Sequence, residues 1–185
     1  MALLSVFFWL GCLAGLLAGW TWLVRRLLAL EPEPDAVHFV ETRDGWRLGL
    51  ARYRPTTPRP GTPPVVLCPG WGLSGLVFDA GAECSLARSL TRRGHDVWVL
   101  DPRGRGWSLG PRGSGRHRRV WTLDDLVDFD VPAAVEGVLR ETGAPALHWV
   151  GLGVGALVAL SAAGAGGAHG IQTPRSRSAS ASNGS

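Results

Sequence analysis

Residues 146–160 read ALHWVGLGVGALVAL, and this stretch decides the fold. ALHWV lacks the polar alternation of a half-exposed strand, the pattern of a strand buried on both faces of a parallel sheet. Glycines then occupy positions 151, 153 and 155 before the chain returns to small and apolar residues. A strand, a tight turn and a helix are expected. The uncharged run 146–168 is also long enough to span a bilayer as a helix, but its glycines weaken helix propensity and apolar drive together.

Working outward, two more runs have the same buried-strand character: VVLC at Val65–Cys68 and VWVL at Val97–Leu100. Between them the spacing predicts a helix over Asp79–Arg93, closed by Gly94, and another from Thr122 to Arg140 before Gly143. Asp124 and Asp125 suit the positive end of the second helix, and Pro132 restarts it with Asp130 as a second N-cap. Upstream, VHFVETR and WRLGLARYR flank Asp44-Gly45, which predicts a β-hairpin closed by a two-residue turn. RPTTPRPGTPP (Arg54–Pro64) is a loop by its proline content. Strand, helix, strand, helix, strand is the order of an α/β domain with crossover helices.

From Ala2 to Val24 no charged residue occurs, and such a run is long enough as a helix to cross a hydrocarbon core of roughly 30 Å. Trp20 and Trp22 stand near its end, and Arg25 and Arg26 follow at once, so residues 2–24 are expected to be an uncleaved single-pass anchor. The arginines after it place the following domain in the cytoplasm by the positive-inside rule. Residues 25–36 form a linker, 37–163 the domain, and 164–185, rich in Gly, Ser and Ala, a disordered tail.

At 185 residues there is room for one ordinary domain. A hydrophobic content of 45% and a charged content of 18% exclude wholesale disorder. All 19 basic residues are Arg, and the net charge of +4 does not by itself ask for a polyanionic partner. Cys12, Cys68 and Cys84 have neither zinc-ligand spacing nor a disulfide framework, so no metal and no cofactor are expected.

The two longest distinctive stretches are DVWVLDPRGRGWS (Asp96–Ser108) and DFDVPAAVEGVLRETGAPALHWVG (Asp128–Gly151). With VVLCPGWG and LHWVGLGVGALVAL around them, the chain resembles the N-terminal half of the α/β-hydrolase family, in particular acid lipases and polyhydroxyalkanoate synthase-like members. The resemblance implies a partial α/β-hydrolase fold: an N-terminal hairpin, then parallel strands with crossover helices, preceded here by the transmembrane helix. It also implies an ancestral ester or thioester hydrolysis, or acyl transfer, on lipid-like substrates.

Family members carry a nucleophile at the centre of a G-x-S-x-G elbow. The matching residues are Gly151 through Gly155, and the nucleophile position is Gly153, which has no atom to attack a carbonyl. After Glu141 there is no Asp or Glu, and the one later histidine, His169, sits close behind the elbow in a glycine-rich stretch. A truncated or degenerate, catalytically inactive chain is therefore expected. Ser161 reads as a packed helical serine rather than a displaced nucleophile. Oxyanion-hole donors, by the resemblance, are the backbone N–H groups of Trp71 and Val154, although Pro69-Gly70 replaces the His-Gly of many members. GLGVGA also fits the dinucleotide pattern G-x-G-x-x-A, but the ribose-binding acid about twenty positions later is missing.

Arg103, Arg105, Arg112, Arg116, Arg118 and Arg119 fall between Asp101 and Asp124 with no carboxylate among them. They are candidates for an anionic lipid surface; without an aromatic ladder the run does not favour nucleic acid. The alternative function is a non-catalytic module that binds a partner or lipid through this loop.

Overall fold

The sheet of this computed structural model has the strand order β1-β2-β4-β3-β5-β6. Residues 9, 11, 13, 15–21, 23, 32–81, 84–111, 120–164, 166 and 169–172 are described. The chain divides into two units, Met1–Glu31 and Pro32–Ser185. In the first, the described residues between 9 and 23 are helical. Most of 2–24 lies outside the described residues, and among those described no helix is long and apolar enough to cross a membrane.

In the second unit the strands are β1 (Ala36–Glu41), β2 (Arg47–Tyr53), β3 (Val65–Cys68), β4 (Val97–Asp101), β5 (Leu147–Gly151) and β6 (Ile171–Gln172). The first two form an antiparallel hairpin and β2 lies antiparallel to β4, while β3 runs parallel to both β4 and β5. The helices are α1 (Leu86–Arg92), α2 (Leu123–Asp125), α3 (Val131–Thr142) and α4 (Val154–Gly164). A π-helical turn, Leu126–Asp130, joins α2 to α3.

Period two explains why the central strands read as unbroken apolar runs. On β4, Trp98 and Leu100 pack with Leu48, Leu50, Val66, Leu147 and the α3 residues Val131, Val135 and Val138. Val97 and Val99 point the other way, into a cluster with Val65, Leu67, Phe78 and Ala87 of α1. Both faces are buried among apolar side chains, so a polar side chain at either alternate position would lose its hydrogen-bond partners.

Four local expectations are corrected. The hairpin turn is not two residues long: Glu41 pairs with Arg47, and Thr42 N–H bonds to Trp46 O across a five-residue loop. The helix expected over Asp79–Arg93 is only α1, whose N-cap Ser85 accepts from Arg88 N–H. Asp79 is instead buried, taking the Tyr53 hydroxyl at 2.8 Å and Arg88 Nε at 2.7 Å. Asp130 caps nothing, because its carboxylate is committed to Arg103, and the chain continues helically through it. Lastly, Ile171–Gln172, inside the expected tail, pairs in parallel with Leu147 and His148. The rest of the tail beyond 172 lies outside the described residues.

Candidate functional site

Strand β5 ends at Gly151 opposite Cys68 of β3, and Leu152 N–H bonds to Cys68 O at 3.0 Å. The chain then reverses through Leu152-Gly153 into α4, so 146–168 is a strand, a turn and a helix over its described residues. The three glycines serve this turn differently. A Cβ on Gly151 would fall 2.1 Å from Ala156 N, and one on Gly155 would fall 2.4 Å from Cys68 O. Both are excluded by backbone, so helix and strand approach closely only because those positions lack side chains. Gly153 has φ of +55°, and a Cβ there would meet nothing within 4 Å. The backbone at 153 thus has the left-handed conformation and open outlook that would present a side chain clear of the sheet.

Trp71 and Val154, the two donor positions inferred from sequence, line one cleft with Leu73, Leu126, Arg105 and Trp121. The cleft is narrow, with a volume of about 10 Å3, room for about one water. Trp71 and Trp121 form one wall, with ring centroids 5.0 Å apart and planes tilted by 52°. Leu73 N–H bonds to Gly70 O and Gly155 N–H to Leu152 O, which tightens both backbone segments that border the cleft.

Among the described residues, no side chain lining this cleft is a Ser, Cys or His. Cys68 lies at the base of the elbow, but it is buried, and desolvation pushes its thiol up to about 12. A thiol held neutral at physiological pH is a poor nucleophile. Ser161 is exposed on α4 rather than packed, and His169 sits in an exposed turn beyond that helix. Among the described residues no group of His, Cys, Asp and Glu could hold a metal ion.

The arginines of the loop after β4 separate into different roles. Arg103 is no surface residue: it is 1% exposed. Its Nε and Nη2 bond to Asp130 Oδ1 at 2.8 and 2.6 Å, and Nη1 bonds to Asp44 Oδ2 at 2.9 Å. Burial opposes the Arg103 charge, but the two carboxylates overcome it and hold the guanidinium above its ordinary value. For Asp130 burial outweighs the pull of Arg103 and raises the carboxyl above the usual range. Arg105 is exposed at the rim of the cleft. Arg112, Arg116, Arg118 and Arg119 lie outside the described residues.

Sequence reasoning missed the Arg103–Asp130–Asp44 network and the pairing of Trp71 with Trp121. Asp130 and Asp44 are 27 and 59 positions from Arg103, and no local pattern marks such partners. A second carboxylate, Asp101, braces the same region by accepting Gly75 N–H at 2.6 Å and Trp107 N–H at 2.9 Å.

The chain is 33% identical over 136 residues to Lipase 1 of Drosophila melanogaster, covering 69% of this chain and 29% of that protein. It is 30% identical over 163 residues to human lysosomal acid lipase/cholesteryl ester hydrolase, covering 74% of this chain and 40% of that protein. It therefore spans about a third of the length of these curated relatives. Among solved structures, an esterase from Rhodococcus, RhEst1, matches with a TM-score of 0.52 at 22% identity, over 73% of this chain and 42% of that one, a likeness of fold. The model of the alpha/beta hydrolase fold matches residues 63–168, from just before β3 to just beyond α4, so the glycine elbow and its cleft belong to a chain of the α/β-hydrolase family.

Proposed function

We propose that this chain is a membrane-associated, lipase-type member of the family that receives acyl groups of lipid-like molecules at the elbow cleft and does not hydrolyse them. One observation carries the reading: the elbow backbone is formed at Gly153, with φ of +55° and open space beyond it, while the attacking atom is absent. Such a site retains apolar walls and backbone donors for a carbonyl group but cannot form an acyl-enzyme. The similarity to lipases supports the substrate class. Residues 2–24 supply the anchor, the domain lies on the cytoplasmic side, and the arginines at 112, 116, 118 and 119 add attraction to anionic lipid.

The test is turnover of p-nitrophenyl butyrate by the purified full chain, beside labelling with a serine-directed fluorophosphonate. Hydrolysis at the buffer rate and no labelling are expected. Turnover that the fluorophosphonate abolishes would overturn the reading. Gly153→Ser gives its Cβ open space but sets a side chain on a backbone of φ +55°, so it is expected to cost some stability and to add no more than weak turnover, since none of the described residues lining the cleft is a base that would activate the hydroxyl.

A further inference from the structure

We propose that His95 is the trigger of an acid-sensitive latch, whose neutral imidazole keeps the loop Arg54–Pro64 seated on the amino end of the sheet and whose protonation releases it. The latch stands on how the chain is routed there. Helix α1 ends in a reversal in which Gly94 N–H bonds to Thr91 O and His95 N–H to Leu90 O. The carbonyl of Gly94 then accepts Arg59 N–H at 3.1 Å, and Asp96 O accepts Val65 N–H at 2.8 Å. Gly94 has φ of +90°, and a Cβ there would fall 3.1 Å from Thr57 O and 3.2 Å from Arg59 Cβ, so loop and turn lie in close contact. Residues 56–61 are otherwise exposed. The turn that carries His95 is therefore what holds the loop down.

His95 sits in this contact without a counter-charge. Its Nδ1 is buried and meets no hydrogen-bond partner among the described residues. The groups that face it are basic: Arg59 from the loop, Arg93 from the end of α1 and His148 from β5. His148 is brought there by its N–H bond to Pro64 O at 2.8 Å, on the far side of β3 from β4. The acid of the same turn, Asp96, is committed to Arg52, whose Nε and Nη2 reach it at 3.0 and 2.7 Å. A cation just beyond a helix C-terminus is ordinarily favoured, but α1 has only seven residues and the carbonyls of Leu90 and Thr91 are already bonded.

The sign of the response follows from these surroundings. Burial first, then the charges of Arg59, His148 and Arg93, hold the imidazole below its ordinary value of 6.5. A released His95 therefore takes up its proton before a seated one does. The seated loop has its full stability above about pH 6.5 and loses it as pH falls towards the folded value, by at most about tenfold in the opening equilibrium per pH unit for one proton. A hollow of about 540 Å3, lined in part by Thr62, Pro63 and His148, opens beside the loop, so water reaches this end of the sheet without the strands parting.

The experiment is amide hydrogen exchange of the full chain at pH 7 and pH 5, read as protection factors so that the pH dependence of intrinsic exchange cancels. Protection of Arg59 and Val65 is expected to fall severalfold, with about tenfold per pH unit as the ceiling, while that of β2 stays the same. His95→Gln, neutral at both values, should give the loop equal protection at pH 7 and pH 5. His169→Gln, in an exposed turn, should behave as the parent chain. Circular dichroism verifies that each variant is folded. Histidine-selective NMR supplies a readout that needs no change at 95: the His95 midpoint is expected below 6.5 in the parent chain and closer to 6.5 in His148→Gln, where one facing group is removed. Loop protection that does not change with pH, a parental response that survives in His95→Gln, an equal loss of protection in β2, or a His95 midpoint at or above 6.5 each overturns the latch.

Discussion

The two ends of the sheet are built to different standards. At one end β1 pairs with β2 along its whole length, from Ala36 to Glu41, and Leu48 and Leu50 beneath are fully buried. Arg103 ties the hairpin loop, through Asp44, to the start of α3, through Asp130. At the other end β6 pairs with β5 only at Leu147 and His148. There Val150 is 41% exposed, and Leu157 and Leu160 on α4 are 55% and 63% exposed. The comparison teaches where stability resides. The hairpin end combines apolar burial with satisfied charges, whereas the β5–β6 end holds the elbow on a surface whose leucines contribute little because water still reaches them.

The largest effect that could break this comparison is at Arg103. Arg103→Ala strands the buried Asp130 carboxyl, and a loss of about 3–5 kcal/mol is expected in urea unfolding of the full chain followed by tryptophan fluorescence. Arg103→Leu combined with Asp130→Leu should regain most of that loss, since no buried charge remains unpaired. A loss below about 1 kcal/mol for the single variant would show that the network does not brace the hairpin end.

A smaller effect, with a pH signature, is expected at Asp79. Burial alone would raise this carboxyl, but the hydrogen bonds from Arg88 and Tyr53 outweigh burial and hold it below the ordinary carboxylate value. A carboxyl with a depressed folded value stabilises the fold above its unfolded pKa of about 3.9 and loses that contribution as pH falls through the folded value. Asp79→Asn should therefore cost about 1.5–3 kcal/mol at pH 7, with the gap to the parent chain closing in acid. A gap that is the same at pH 7 and pH 3 would assign the cost to packing instead.

The smallest effect sharpens the other side. Leu160→Ser is expected to change stability by no more than about 0.5 kcal/mol, as for exposed positions generally. A loss above about 2 kcal/mol in the same unfolding experiment would mean that the α4 face is covered in solution, and the two ends would then be more alike than the exposures indicate.

These expectations depend on features that are unequally legible in the sequence. The runs at 65–68 and 97–100 announced buried strands, because a strand covered on both faces must be apolar at every position. The run at 146–150 is instead buried only at Ala146 and Leu147 and exposed at Val150, so its expected burial on both faces is corrected. Gly151 and Gly155 announced the elbow, because only glycine permits that approach of helix to strand, and Gly153 because the turn between them needs a left-handed residue. The loop after Glu41 was misjudged at Asp44-Gly45: the dipeptide favours a tight turn, yet the Asp44 side chain is drawn to Arg103 and the loop opens to five residues. Asp130 was misjudged in the same way, its capping propensity overridden by a buried cation from another part of the chain.

The sequence by itself determined the order of the strands along the chain and the glycine turn at 151–155, with glycine at 153, since each is written in adjacent residues. Only the tertiary structure decided that Arg103 is an interior brace while Arg105 is a rim residue, and that Trp121 packs on Trp71 in the lining of the cleft. The physical reason is that a charge or a ring acquires its role from the groups that surround it. Here those groups lie 27, 59 and 50 positions away (the last from the numbers 121 and 71), distances over which local spacing carries no information.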